Sequence, residues 1–168
     1  LGSHNITLVD ANNAVFVVFV DVVQSITISP ASGPIGTAVT VNGFGFPSAG
    51  VPAGTAYNVT VTFGTSTTIR AWALTDAFGQ FTTTFNVPTA PGGANLITAT
   101  ANDTALTSAS KSFTVAAAFM VTPSEFYANS SNTAVAAVGT GFNPANTFFV
   151  AIDNVFSPFT NTQTGIMP

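Results

Sequence analysis

The sequence contains no cysteine, one histidine (His4) and one glutamate (Glu125). Without thiols there are no disulfides and no thiolate metal sites, so packing and strand pairing must hold the fold. A Ser-His-Asp or Cys-His constellation would have a single candidate base, set near the N-terminus. Charge is nearly as scarce: 2 Lys and Arg (Arg70 and Lys111) stand against 6 acids, and 5% of residues are charged, far below the roughly 25% of ordinary soluble domains. No basic cluster exists to neutralise phosphates, which excludes nucleic acid as a partner. Asp10, Asp21, Asp76, Asp103 and Asp153 are scattered singly and lack DxDxDG spacing, so neither a paired-carboxylate site nor a calcium loop is indicated. The chain reads as a non-enzyme with no catalytic residues, no metal site and no cofactor.

Long helical periodicity is also absent. The most apolar run, Ala14 to Val23, is about half the ~20 residues that a membrane-spanning helix needs, and Asp21 interrupts it. The mature chain is therefore expected to have no membrane span. No Lys or Arg precedes the run, unlike a secretory signal, and a start at Leu1 reads as a processed chain.

What is present is strand chemistry. Hydrophobic residues make up 46% of the chain, Phe occurs 16 times, and Gly (14) and Pro (10) punctuate it. Thr, Val and Phe favour strands, and Gly and Pro favour turns, so the fold class is all-β. From Ser25 onward seven short runs are predicted strands: SITISP (25–30), TAVTVNGFGF (37–46), AYNVTVTFG (56–64), TTIRAWALT (67–75), QFTTTFNVP (80–88), NLITATAN (95–102) and SKSFTVA (110–116). Turns such as SGPIG, DAFG and APGG separate them, with Asp76 of DAFG a turn residue. That spacing suits a two-sheet sandwich. In QFTTTFNV, Phe81, Thr83, Phe85 and Val87 share one face and Thr82, Thr84 and Asn86 the other.

SPASGPIGTAVTVNGFGF (29–46) resembles the opening of IPT/TIG-type immunoglobulin-like domains of extracellular proteins, and TDAFGQFTTTFNVPTAPGGANLITATAND (75–103) is similar to later strands of bacterial and archaeal surface repeats. After Val115 the pattern restarts. FMVTPSEFYANSSNTAVAAVGTGFNP (119–144) repeats the order of ITISPASGPIGTAVTVNGFGFP (26–47): an apolar run meets Pro30 or Pro123, a polar loop leads to Thr-Ala-Val, and Gly-x-Gly-Phe follows. A further strand, TFFVAIDNVF (147–156), is expected next.

This order predicts an N-terminal tail (1–23), a complete immunoglobulin-like sandwich (24–117) and an incomplete one (118–168) that lacks its later strands. A sandwich short of a strand exposes unpaired backbone groups over an apolar core. The run NNAVFVVFVDVV (12–23) is the complementary defect, a strand with no sheet of its own and apolar on both faces. Val15, Phe16, Val17, Val18, Phe19, Val20, Val22 and Val23 are the candidate donor-strand residues. Entering a neighbouring copy, they would build an open linear homopolymer by donor-strand complementation. In arrangement the whole chain resembles the subunits of archaeal thread filaments, which implies an extracellular, cell-surface, glycosylated structural protein. The alternative is a self-complemented adhesin or carbohydrate-binding module, whose tail folds back into its own second domain.

Four N-x-[ST] sequons, at Asn5, Asn58, Asn102 and Asn129, are candidate N-glycosylation sites; a surface this poor in charge has need of another solubilising group. Trp72, Tyr57 and Tyr127 form a possible carbohydrate platform, although single aromatics on sandwich strands are more often packing groups. Lys111 is a candidate for an isopeptide crosslink assisted by an acid such as Glu125, against the simpler reading of a solvated lysine.

Scarcity of charge has a testable corollary. Acid denaturation comes from carboxylates whose folded-state pKa is depressed by a partner, because that stabilisation is lost as pH falls through the folded value. Two basic residues can partner few carboxylates, and full protonation moves the net charge only from −4 to about +2, or +3 with His4 charged. Assembled fibres should persist at about pH 2–3, with a thermal midpoint within about 15 °C of that at neutral pH; a larger fall would reveal a buried ionised carboxylate.

Overall fold

The computed structural model describes residues 2–48, 57–103, 105, 107–122, 136–142, 148–152 and 155–159. Every regular element among them is a strand. In chain order these are β1 (Gly2–Val9), β2 (Val15–Val22), β3 (Ser25–Ser29), β4 (Ser32–Gly33), β5 (Ala38–Phe44), β6 (Asn58–Phe63) and β7 (Ile69–Leu74). There follow β8 (Phe81–Asn86), β9 (Gly93–Ala101), β10 (Ser108–Val115), β11 (Ala118–Thr122), β12 (Ala136–Thr140), β13 (Phe148–Ile152) and β14 (Val155–Phe159). All seven strands expected between Ser25 and Ala116 are present, as β3 and β5 to β10.

They form the two sheets of an immunoglobulin-like sandwich, one ordered β3-β5-β8 and the other β4-β10-β9-β6-β7. By contact density the chain divides into two compact units, Leu1–Ser29 with Thr40–Phe85 and Leu96–Lys111, and Pro30–Val39 with Asn86–Asn95 and Ser112–Pro168. In the first unit, alternation decides what is buried. Val59, Val61 and Phe63 of β6 point inward and Asn58, Thr60 and Thr62 outward; Phe81 and Phe85 of β8 are buried while Thr82, Thr84 and Asn86 are exposed or half-buried. Phe63 meets Phe85 with ring centroids 6.0 Å apart, and Phe46 meets Phe81 edge-on at 5.0 Å, so aromatic rings bridge the layers. The Phe81 ring lies directly over Gly43, where there is no space for a Cβ.

In the second unit, Val39, Val87, Phe113 and Val115 are buried. Strand β4 runs parallel to the end of β10, pairing Ser32 with Thr114 and Gly33 with Val115; this two-residue strand was not legible in SPASGP. The restarted pattern forms β11–β12 and β13–β14, each a two-stranded antiparallel sheet. The strand expected over Thr147–Phe156 is instead split between β13 and β14, whose register runs from Phe148↔Phe159 to Ile152↔Val155.

The repeat seen in the sequence is reproduced in strand register. Ile26 pairs with Gly43 and Ser25 with Phe44 in the first copy; Phe119 pairs with Gly139 and Ala118 with Thr140 in the second. Each copy then turns on a left-handed glycine, Gly45 (φ 68°) or Gly141 (φ 69°). A methyl group on Gly45 would meet the Val23 carbonyl oxygen at 2.8 Å, and one on Gly141 the Ala116 carbonyl oxygen at 2.6 Å. Val23 lies three residues ahead of Ile26, and Ala116 three residues ahead of Phe119. The Gly-x-Gly-Phe motif is therefore a packing motif, with one glycine beneath a ring in the first copy and the other bending the chain around a neighbouring carbonyl.

Gly43→Ala should force the Phe81 ring out of place and cost about 1–3 kcal/mol, the range of overpacked cores. Thermal unfolding of the variant should show a midpoint lower by at least about 4 °C; an unchanged midpoint would mean that the ring moves aside freely.

Candidate functional site

The N-terminal run is not a lone strand. β1 and β2 pair antiparallel from Gly2↔Val22 to Val9↔Val15 and form a sheet of their own. The turn between them depends on Asp10. Its Oδ1 accepts hydrogen bonds from the backbone N–H groups of Asn12 and Ala14, both at 2.8 Å, while Asn13 takes φ 64°. Asp76 builds the same turn between β7 and β8, accepting from Phe78 and Gln80 at 2.8 Å, with Gly79 at φ 70°. Asn is one of the few non-glycine residues that tolerate this region. The shared Asp-x-x-[Asn/Gly] pattern of DANN and DAFG was the available signal for the hairpin, and it was read only at Asp76.

Among the described residues no core covers this hairpin, although Val22 at its end lines a cleft with Phe46, Tyr57 and Phe78. Every residue of β2 is exposed, its apolar side chains from 42% for Val22 to 72% for Phe19. Directly paired residues share a face, so the register sorts the side chains. One face holds Ile6 and Leu8 with Phe16, Val18, Val20 and Val22, ending at His4; the other holds Ser3, Asn5 and Thr7 with Val17, Phe19 and Asp21, and Val9 with Val15. All eight candidate donor residues are exposed.

A second uncovered apolar surface lies on β11–β12. Phe119 occupies the register position of Ile26, yet Phe119 is 54% exposed where Ile26 is 5%. Val41 is buried in the first copy, and its counterpart Ala137 is exposed. Met120 and Val121 are exposed as well.

The remaining candidates separate by position. Asn5 is exposed on β1. Asn58 is half-buried in β6, and its Oδ1 is buried without a partner; its N–H donates to Asn102 Oδ1 at 2.9 Å, and Asn102 N–H returns a bond to the Asn58 carbonyl at 3.0 Å. Asn102 itself is exposed. Asn129, Tyr127 and Glu125 lie outside the described residues. Trp72 is 65% exposed on β7 and Tyr57 lines a cleft of about 320 Å³ with Phe46 and Phe78, so the two aromatics do not form one platform. Lys111 is exposed on β10. Among the described residues no cluster of His, Asp or Glu has the makings of a metal site, and no helix is long and apolar enough to cross a membrane.

Asp10→Ala removes both acceptor contacts of the turn. At about 0.5–1.5 kcal/mol per hydrogen bond, the hairpin should loosen enough that hydrogen exchange at the amides of β1 and β2 accelerates several-fold, with the amides of β6 and β9 unchanged. Equal exchange rates in the two proteins would show that strand pairing alone holds the hairpin.

No curated protein sequence matches the chain. A family model, the IPT/TIG domain, matches residues 22–115, the stretch containing both sheets of the sandwich and the Gly43–Phe81 contact. The domain is a non-catalytic immunoglobulin-like module. With more than half of its 168 residues inside that match, the chain belongs to the IPT/TIG domain family.

Proposed function

We propose that the chain is a structural, non-enzymatic subunit of an extracellular surface filament. Subunits join head to tail by donor-strand complementation, the N-terminal segment of one entering the second repeat of the next. The observation that carries this reading is the β1–β2 hairpin: a two-stranded sheet whose Val, Phe, Ile and Leu side chains are exposed, with no core over them among the described residues. Such a hairpin is marginally stable in water, and its exposed strands are a template for pairing with another chain. The uncovered β11–β12 sheet supplies a matching apolar surface. A contact between two different surfaces that does not close on itself propagates as a fibre. Near absence of charge supports an outer surface clothed in N-linked glycans, for which exposed Asn5 and Asn102 are better placed than half-buried Asn58.

Exposed Trp72 and Leu74 on β7 favour a second reading, a monomeric surface adhesin that stacks sugars on an outer sheet face. Negative-stain microscopy separates the two. The purified chain should form uniform thin fibres, and a variant lacking residues 1–20, its sandwich verified by circular dichroism, should remain monomeric. Monodisperse monomers of the full chain would sink the filament reading, and fibres from the shortened variant would show that the tail is not the connector.

A further inference from the structure

The filament reading leaves open what the connector is when it binds, and the inference drawn here rests on that reading. A lone strand entering a neighbour would first have to break the whole ladder from Gly2↔Val22 to Val9↔Val15. The side-chain arrangement makes this unnecessary, because the hairpin already has an inside and an outside. Ile6, Leu8, Phe16, Val18, Val20 and Val22 share one face with His4, and no carboxylate lies on it. Asp21 is on the opposite face, where burial would strand its charge. Asn5 and Thr7, the two residues that define the first sequon, project from that same opposite face; a glycan there would prevent it from being buried. The strand that seemed equally apolar on both sides is thus polarised by its partner β1.

We infer that the hairpin docks intact onto a second copy of this chain, its apolar face against β11–β12 and the Asn5 face outward. The first repeat supports this choice of acceptor, since it shows the same strand pair with its apolar positions covered: Ile26 and Val41 are buried there, and Phe119 and Ala137 are exposed in the second. The face alone is too small to hold a joint. Six exposed side chains at roughly 60–120 Å² each offer on the order of 360–720 Å², short of the ~800 Å² per partner in a standard interface. Edge pairing must supply the rest. Among the described residues β2 has β1 on one side and no partner on the other, so it can extend the acceptor sheet while β1 becomes the outermost strand.

Thr7 and Val17 are directly paired on the outward face, and the chain has no cysteine. The double variant Thr7→Cys/Val17→Cys can therefore be closed by a cross-strand disulfide, at a separation that strand pairing permits. Oxidised, it should polymerise at the wild-type rate by light scattering and microscopy, and reductant should change nothing. Fibres that grow only after reduction would overturn intact docking while leaving polymerisation through the tail in place. In parallel, Val18→Asp should abolish fibres and Phe19→Asp should slow growth less than about threefold; equal loss in both would overturn the one-faced contact. Both side chains are exposed in the free subunit, so neither change should alter monomer melting. Closed dimers in place of fibres, with hairpins stacked on each other, would overturn β11–β12 as the acceptor.

Discussion

Backbone pairing between strands is the constraint on which this molecule depends, because the usual supplements are missing. There is no disulfide to restrict the unfolded chain and hardly a charge to form ion pairs, and no helix among the described residues satisfies its polar groups internally. Each strand must instead find neighbours for its N–H and C=O groups and cover for its apolar face. Residues 25–115 meet both demands within the chain, through two sheets and a core of Val and Phe. Among the described residues the hairpin β1–β2 meets the first demand along one edge of each strand and hardly meets the second.

Glycine positions show how the sandwich achieves close packing without charge. Gly43 lets the Phe81 ring lie on the backbone, and Gly45 lets the chain turn against the Val23 carbonyl. Gly141 repeats the second device in the restarted pattern. The recurrence of the same register and left-handed turn makes the second repeat a structural copy, and that copy is what gives the exposure of Phe119 a meaning. An isolated exposed Phe is unremarkable on any surface; one at the register position of a buried Ile26 sets the two copies apart.

Much of the sandwich was legible in the sequence because its strands obey period two between strong turn signals. QFTTTFNV could be divided into an inner and an outer face from its letters alone, and β8 follows that division at Phe81 and Phe85. Strand β4 was not legible, since two residues carry no periodicity and its parallel partner Thr114 lies some eighty positions away. The strand expected at 147–156 is two strands, β13 and β14, because the apolar letters on either side of residue 152 gave no sign that the two halves pair with each other. For the hairpin, the run FVVFVDVV concealed a local cue: attention to the apolar letters masked the Asp10 turn that DAFG had already taught how to read.

Sequence alone determined the composition of the problem: strands, turns, a repeat, and one segment too apolar to remain uncovered. Those are local properties, set by side-chain chemistry and by spacing along the chain. Which face of that segment is inside was decided only in three dimensions. β2 is apolar on both sides, and its polarity comes from the register that places Asn5 opposite Phe19 and Ile6 opposite Val18. Register is a relation between two strands. A shift of one residue would exchange the faces, so no reading of either strand by itself could have fixed it.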